Sequence, residues 1–181
     1  MSQMIRLFAA LALPPDISAV LQSRQTGLEG AKWRPLDAFH VTLRFYGEMP
    51  EDVARDLDVA LLEVAKPPFE IRLQGAGAFS EGEGVHAVWA GVADNPALNR
   101  LAKACEMAGR HVGLKPDPRR YRPHVTLAYL RRAPPAGVAA WVETHSRLES
   151  PPIAISSFGL HSSRQTREGS RYHLEAQYPL A

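Results

Sequence analysis

The chain has 181 residues, a length that suits one domain built as two lobes, and 45% of them are apolar, enough for a hydrophobic core. The formal net charge of +2 gives no reason to expect a polyanion partner from overall charge alone. A single cysteine, Cys105, excludes an internal disulfide, and no apolar run reaches the roughly 20 residues of a membrane span, so we expect a cytoplasmic protein that does not bind membranes.

The first half of the chain alternates apolar runs with amphipathic stretches. An apolar run at residues 5–11 predicts a buried strand that Pro14 and Pro15 end. Apolar residues at helical spacing predict one helix from 16 to about 26 and a clearer one over 51–65. Between them, residues 32–35 indicate a short extended piece that leads into a strand at 39–46.

The second half repeats this alternation and adds hairpins. We predict strands over 69–79, 85–92, 123–130, 153–160 and 171–178, and helices from 95 to between 109 and 113 and from 136 to about 147. Residues 80–84 have the composition of a hairpin tip, and residues 161–170 that of a loop. The order of elements predicts an α+β fold with two similar lobes, in one domain over residues 1–181.

The sequence His-Val-Thr-Leu occurs twice, at residues 40–43 and 124–127, each time within a predicted strand. Residues i and i+2 of a strand face the same side, so His40 projects with Thr42, and His124 with Thr126. If the two strands lie side by side, two imidazoles and two hydroxyls line one cleft.

Two imidazoles in one cleft can act as a general base and a general acid, because imidazole titrates near neutral pH. Two hydroxyls beside them can donate hydrogen bonds to the non-bridging oxygens of a phosphate. A single copy of the pattern would more often be an ordinary half-buried strand with a locally satisfied histidine. Two copies with the same periodicity in a short chain favour a functional site.

Positive charge flanks the second motif. The basic residues are Lys115, Arg119, Arg120, Arg122, Arg131 and Arg132, and Asp117 is the only acid in that span. Arginine binds phosphate oxygens through two parallel hydrogen bonds, so we expect part of this loop to steer a nucleic-acid phosphate; a solvated loop is the alternative. Arg44 lies four residues after His40 on the same strand face, so it could reach the cleft or form a salt bridge at its rim.

Motifs for other chemistries are missing from the sequence. The remaining histidines do not show metal-ligand spacing, and there is no Gly-x-x-x-x-Gly-Lys loop for a nucleoside triphosphate and no Gly-x-Ser-x-Gly nucleophile motif. We therefore expect no metal and no cofactor.

With its paired motifs, the chain resembles the 2H phosphoesterase superfamily and, within it, the bacterial RNA 2′,3′-cyclic phosphodiesterases, also called the 2′-5′ RNA ligase family. The similarity extends over nearly the full length. Its blocks are residues 5–11, Trp33, residues 40–48, 89–92 and 123–127, and a closing pattern of Leu160, Ser163, Gly169 and Tyr172. One His-x-Thr is a weak signal, whereas the pair with these flanks is specific.

This resemblance implies two pseudo-symmetric lobes, whose antiparallel sheets flank a central cleft and whose helices lie outside. It implies metal-independent hydrolysis of a terminal 2′,3′-cyclic phosphate of RNA to a 2′-phosphate. It assigns the base to His124, the acid to His40 and the phosphate oxygens to Thr42 and Thr126. It also implies a possible ATP-independent joining of RNA through a 2′-5′ bond.

One position departs from the family pattern. Many relatives carry arginine five residues after the second histidine, where this chain has Tyr129. A charge that binds substrate is then either missing or supplied by Arg131, Arg132 or Arg44. We therefore count Arg44, Tyr129 and Arg131 among the candidate substrate-binding residues.

Two other functions stay open at this point. The chain could act on a small cyclic nucleotide metabolite, or it could be a nucleotide- or RNA-binding module that is weakly active or inactive. The presence of both histidines and both threonines argues against an inactive site. We expect a monomer whose partners are RNA ends or oligonucleotides with a 2′,3′-cyclic phosphate.

Overall fold

The structure is a computed structural model that describes residues 3–82 and 84–181. Within those ranges it has the predicted α+β class, with ten strands and four α-helices. The strands are β1 (Met4–Ala12), β2 (Ala31–Trp33), β3 (His40–Pro50), β4 (Phe69–Ile71), β5 (Leu73–Glu81), β6 (Gly84–Val92), β7 (His124–Leu130), β8 (Ile153–Ile155), β9 (Ser157–Thr166) and β10 (Gly169–Pro179). The helices are α1 (Pro15–Gln22), α2 (Glu51–Leu62), α3 (Pro96–His111) and α4 (Pro135–Thr144), and a 3-10 turn, Leu36–Ala38, precedes β3.

The first lobe is an antiparallel sheet in the order β10-β9-β1-β3. Its central strand β1 is buried from residue 7 to residue 11. Because both faces of that segment are covered, the sequence shows an unbroken apolar run there instead of an alternating one. Helix α2 packs on this lobe, with Leu57 and Leu61 in the core.

The second lobe is an antiparallel sheet in the order β2-β7-β6-β5. Strands β5 and β6 form the predicted hairpin, and α4 packs against both of them. At the predicted tip, 80–84, Gly82 takes a positive φ of 63°, a conformation that favours glycine. Glu83 of the same tip lies outside the described residues.

The lobes are not the two halves of the chain, although the order of elements suggested two comparable halves. Strand β2 comes from the first half but pairs with β7, and the C-terminal hairpin β9–β10 returns to pair with β1. The chain therefore crosses from the second lobe to the first between residues 33 and 40. This crossing places residues 32–34 beside the second motif.

Two predicted strands are split, and one predicted loop is mostly strand. Residues 69–79 divide into β4 and β5, and residues 153–160 into β8 and β9, because β4 and β8 pair in a small sheet of their own. Strand β9 continues to Thr166 through residues that lack apolar alternation. Its pairing with β10 determines the extended conformation of this segment, which no local pattern in the sequence predicts.

Helix α3 packs against α2 and β3. Its N-terminus is fixed by Asn95, whose side chain accepts a hydrogen bond from the backbone N–H of Leu98 at 3.0 Å, and by Pro96 in the first turn. Cys105 on this helix is fully buried, and burial raises its pKa to about 12, so the thiol stays protonated and acts as a core residue. Among the described residues, no helix is both long and apolar enough to span a bilayer.

Candidate active site

Both motif strands border one cleft between the lobes. Strand β3 is the edge of the first sheet, β7 lies inside the second, and the two approach one another without pairing. The cleft has a volume of about 620 Å³. It is lined by Arg6, Phe8, Lys32, Arg34, Ala38, His40, Thr42, Phe45, Arg119, His124, Thr126, Tyr129, Ser163, Gln165, Gly169, Ser170 and Tyr172. The structure thus brings both histidines and both threonines of the motifs to one space.

A β-bulge at the same position of each motif sets which side chains reach the cleft. Leu43 is the extra residue in β3, opposite the step from Ala9 to Ala10, and Leu127 is the extra residue in β7, opposite the step from Val88 to Trp89. The bulge reverses the alternation of faces beyond it. In each motif, the next side chain on the same face as the histidine and the threonine is therefore that of the fifth residue after the histidine, not the fourth.

The fifth residues are Phe45 and Tyr129, which are 36% and 45% exposed at the cleft. Each ring lies against an arginine, with Arg6 4.9 Å from the centre of Phe45 and Arg34 5.3 Å from that of Tyr129. Of the substrate-binding candidates beyond the threonines, only Tyr129 lines the cleft.

Arg44 lies outside the cleft and does not share the face of His40 that strict alternation predicted for it; it forms a salt bridge, the alternative that the sequence left open. Its guanidinium forms an ion pair with Glu106 and lies 3.8 Å from Asp117, and it donates a hydrogen bond to the carbonyl of Lys115 at 2.8 Å. The bulge at Leu43 is the physical reason, because it turns the fourth residue after the histidine toward α3. Arg44 holds the loop before β7 instead.

Arg131 is exposed and does not line the cleft either. Of the basic residues that flank the second motif, only Arg119 does, and it forms a two-point ion pair with Asp117 at 3.0 Å. Three other cations line the cleft, namely Arg6, Lys32 and Arg34. No carboxylate is found among the lining residues that the structure describes.

The ring of His124 is oriented by a hydrogen bond to the backbone. Its Nδ1–H donates a hydrogen bond to the carbonyl of Arg122 at 2.7 Å, so Nε2 carries the free lone pair. The ring is packed by the edge of Phe79, with centroids 4.7 Å apart, and by Trp89 at 6.0 Å. Burial lowers the pKa of this imidazole below its usual 6.5, so it is neutral at neutral pH.

His40 sits in a different environment. It packs against Phe8, with ring centroids 4.9 Å apart, and against the edge of Tyr172 at 5.1 Å. Burial lowers its pKa from 6.5 to about 3. Repulsion from the charged form of His161, from Arg34 and from the charged form of His124 acts in the same direction, while a hydrogen bond with the backbone of Ala38 opposes it. In the free protein His40 is therefore neutral. Any anion bound beside it offsets these charges and favours its protonated form.

The two threonines complete this part of the cleft. Thr42 and Thr126 both line it, each two residues after its histidine. Tyr121, from the loop before β7, donates a hydrogen bond to the backbone carbonyl of Thr42 at 2.8 Å. This bond ties the two motif strands together at the point where their side chains meet.

Three residues near the histidines were not predicted from the sequence. Tyr172 and His161 lie around His40, the latter stacked on Phe8 at 5.2 Å, and Arg34 is buried at 6% exposure within the cleft wall. His161 and Tyr172 belong to the hairpin that returns to the first lobe, a long-range pairing with no local signal. Alternation around Trp33 could have shown that Lys32 and Arg34 share a face.

No group of three or more His, Cys, Asp or Glu side chains in residues 3–82 and 84–181 is arranged to hold a metal ion. The chemistry that the cleft can support comes from two imidazoles, two hydroxyls and several guanidinium and ammonium groups. That set suits an anionic substrate and proton transfer.

Comparison with known proteins agrees with this description. A family model described as the 2′-5′ RNA ligase superfamily matches residues 13–167. A protein of Aeropyrum pernix is 35% identical over 137 residues, which cover 74% of this chain and 77% of that protein. A protein of Archaeoglobus fulgidus is 29% identical over 171 residues, which cover 93% and 96%. Both are named RNA 2′,3′-cyclic phosphodiesterase.

Solved structures share the fold over nearly the whole chain. E. coli LigT complexed with 3′-AMP has a TM-score of 0.79 and 25% sequence identity, and the match covers 99% of both chains. The protein TT0787 of Thermus thermophilus has a TM-score of 0.81 and 24% identity, and the match covers 97% of this chain and 98% of that one. This second match shows similarity of fold alone.

Proposed function

The chain belongs to the 2′-5′ RNA ligase superfamily, and we propose that it hydrolyses terminal 2′,3′-cyclic phosphates of RNA to 2′-phosphates with His124 as base and His40 as acid. The observation that carries this proposal is the convergence of His40, Thr42, His124 and Thr126, from two lobes, on one cleft that is lined by cations. A cyclic phosphate is an anion with its leaving oxygen already attached, so the reaction needs one proton removed and one proton delivered.

His124 is the group that removes the proton. Its Nδ1–H is engaged by the carbonyl of Arg122, so Nε2 is the atom that accepts a proton from water as the water oxygen bonds to phosphorus. The lowered pKa of the ring keeps this nitrogen unprotonated at neutral pH.

His40 delivers the proton. As the bond between phosphorus and the 3′ oxygen breaks, the protonated imidazole gives its proton to that oxygen, and the product is a 2′-phosphomonoester with a free 3′-hydroxyl. Because the pKa of His40 in the free protein is about 3, the charged form needs the negative charge of the substrate beside it. Substrate binding and protonation of the acid are therefore one coupled event.

Thr42 and Thr126 bind the two non-bridging oxygens. Their hydroxyls are donors placed on the histidine faces of both strands, where negative charge builds on the phosphate during attack. A hydroxyl can rotate to follow the oxygen from the ground state to the transition state.

A second reaction uses the same groups. A 5′-hydroxyl of RNA in the place of water gives a 2′-5′ phosphodiester, with the same proton transfers and no ATP. The exposed rings of Phe45 and Tyr129, one from each lobe, favour this reaction, because aromatic rings stack on bases and offer a place for a nucleoside on either side of the phosphate.

The test is turnover of a nucleoside 2′,3′-cyclic phosphate and of an oligonucleotide with the same end, with EDTA present. We expect a 2′-phosphate product, and a loss of kcat of about 10²- to 10⁴-fold in His40→Gln and in His124→Gln. The control is Arg100→Gln, an exposed change on α3. Near-normal turnover in either histidine variant contradicts the mechanism.

The same assay separates the alternatives. Turnover of small cyclic nucleotides with no gain for RNA ends supports a metabolite phosphodiesterase. Tight binding without product supports a binding module. We propose that the enzyme is a single-domain monomer over residues 1–181, because both histidine motifs of one chain already meet in one cleft. Sedimentation equilibrium tests this point. We also propose that it works in the cytoplasm, which cell fractionation tests.

A further inference from the structure

Arg34 differs from the other cations of the cleft. It is 6% exposed, whereas Lys32, on the same strand face, is exposed. Within residues 3–82 and 84–181, no carboxylate oxygen lies within 4.0 Å of its guanidinium. A buried charge without a counter-ion costs folding free energy, so a group of this kind is retained where a ligand brings the opposite charge.

The surroundings hold this guanidinium rigidly. The backbone N–H of Arg34 donates to the carbonyl of Leu127 at 2.8 Å, and its carbonyl accepts from the Gln25 side chain at 2.8 Å. The guanidinium lies between two tyrosine rings, 5.3 Å from the centre of Tyr129 and 5.6 Å from that of Tyr172.

Within the described residues, one nitrogen of the Arg34 guanidinium is engaged by protein. Nη2 donates to the carbonyl of Ser170 and to the hydroxyl of Tyr172, both at 3.3 Å. Nη1 and Nε of Arg34 have no protein acceptor in the described part of the chain, and both nitrogens keep some exposed surface. These N–H groups can therefore be reached from the cleft that Arg34 lines, and since they lie on different sides of the guanidinium, each can donate a separate hydrogen bond to an anion.

We infer that Arg34 binds the reacting phosphate of the substrate, through an N–H group of Nη1 or Nε that the protein leaves free. The identity of that phosphate rests on the proposed function, whereas anion binding by Arg34 does not. The guanidinium keeps its charge at all working pH values, and it has donors free for an anion after Nη2 is used by Ser170 and Tyr172. The arginine comes from the segment that crosses between the lobes, and it stacks on Tyr129, the position at which an arginine was expected in the second motif.

Tyr172 ties Arg34 to the site of reaction. Its hydroxyl accepts from Nη2 of Arg34, and the edge of its ring packs on His40 with centroids 5.1 Å apart. The same tyrosine thus fixes the acid and the cation relative to one another. This placement favours the phosphate between the histidines over a phosphate further along the RNA.

The experiment compares the wild type with Arg34→Gln, Arg34→Lys and, as a matched control, Arg147→Gln, which removes an exposed positive charge away from the cleft. Calorimetry measures binding of sulfate, which needs no turnover. We expect Arg34→Gln to weaken sulfate binding by roughly 10- to 100-fold, the value of a hydrogen bond to a charged group, and Arg34→Lys to weaken it less. Arg147→Gln should bind sulfate as the wild type does.

The second readout is kinetic and uses a nucleoside 2′,3′-cyclic phosphate, which has only one phosphate. A fall in kcat/KM of similar size with this substrate supports the inference. Wild-type sulfate affinity in Arg34→Gln overturns it, and so does a kinetic defect that appears only with a longer oligonucleotide. If Arg34→Gln does not fold, Arg34→Lys decides, since it keeps the charge and loses the guanidinium N–H groups that Ser170 and Tyr172 orient; wild-type sulfate affinity in Arg34→Lys then overturns the inference.

Failure of this inference is distinct from failure of the proposed function. Sulfate binding that depends on Arg34, in a protein that turns over no cyclic phosphate, keeps the anion site and removes the reaction. Turnover that survives in Arg34→Gln with unchanged KM and kcat removes the anion site and keeps the reaction.

Discussion

Binding of a tetrahedral anion in the cleft should take up a proton, and His40 should be the group that gains it. With a pKa of about 3 in the free protein, only about one His40 ring in 10⁴ is charged at neutral pH. Protonation in half of the complexes at pH 7 requires a pKa near 7, which corresponds to about 5 kcal/mol of added interaction with the anion. Two unit charges 4 Å apart interact by about 4 kcal/mol at an effective dielectric constant of 20.

The comparison of these two energies decides which anions can raise the pKa of His40 to about 7. Sulfate has two negative charges and does not titrate near neutral pH, so it can supply the whole interaction and add no protons of its own. A cyclic phosphate has one charge, which brings the pKa of His40 to about 6 by the same arithmetic. Sulfate is therefore the cleaner probe, and the substrate itself is expected to leave His40 only partly protonated at neutral pH.

The assay is isothermal calorimetry of sulfate binding in pairs of buffers with different ionisation enthalpies, between about pH 6 and pH 8. We expect uptake of about one proton per sulfate, and an affinity that falls about tenfold per pH unit, at pH values below the pKa of the complex; above that pKa both effects should disappear. His40→Gln should bind sulfate with less proton uptake and with a weaker dependence on pH. His124→Gln measures the share of the other ring.

Two results refute this reasoning. One is sulfate binding in the wild type without proton uptake anywhere in that range. The other is an uptake that is the same in His40→Gln as in the wild type. Either result means that the charge of the anion does not act on this imidazole, and the assignment of His40 as the acid then loses its physical basis.

Three further predictions follow from the same surroundings. Because burial lowers the pKa of both histidines in the free enzyme, the optimum of kcat/KM should lie below pH 6.5, and that of kcat, which reports the charged complex, at a higher pH; coincident optima would contradict the coupling. Between about pH 3 and pH 6.5 the unfolded chain binds a proton on His40 and the folded chain does not, so this residue should lower the free energy of unfolding by about 1.4 kcal/mol for each unit of decreasing pH. Denaturant unfolding should show a shallower decline in His40→Gln than in the wild type. An equal decline would refute the lowered pKa of His40. A Cβ at Gly77 would lie 2.3 Å from the Trp89 ring, so Gly77→Ala should lower stability by about 1 to 3 kcal/mol and also lower kcat, since Trp89 packs on His124; thermal melting and turnover equal to those of the wild type would show that the ring moves freely.

Most of the fold could be predicted from patterns of short range. The buried run of β1, the amphipathic helices and the paired histidine motifs all leave local signals in the sequence, and each element lies close to its predicted range. The pairing of β9 with β1 and of β2 with β7 leaves none, because it depends on which distant edges are free. Residues that reach the cleft through those pairings, Arg34 and Tyr172 among them, were missed for that reason.

The bulges account for the remaining error. Strict alternation places the fourth residue after each histidine on the cleft face, which made Arg44 a candidate and left Phe45 without a role. One extra residue, at Leu43 in β3 and at Leu127 in β7, reverses both assignments. A one-residue irregularity of this kind carries no compositional signal, since both bulged leucines are as buried as ordinary core residues.

The two motifs are alike in sequence, in bulge position and in the aromatic residue that follows, and yet we propose different roles for their histidines. The difference comes from what surrounds them. His124 is oriented by the carbonyl of Arg122, which leaves a free nitrogen facing the cleft, and no neighbouring charge contributes to its lowered pKa. His40 is surrounded by His161, Arg34 and His124, so its charged form depends on the anion between them. In the proposed mechanism the base is unprotonated before the substrate binds, and the acid becomes protonated only when it binds. Proton transfer is then confined to occupied clefts, and residues outside the motifs produce this difference between the two histidines.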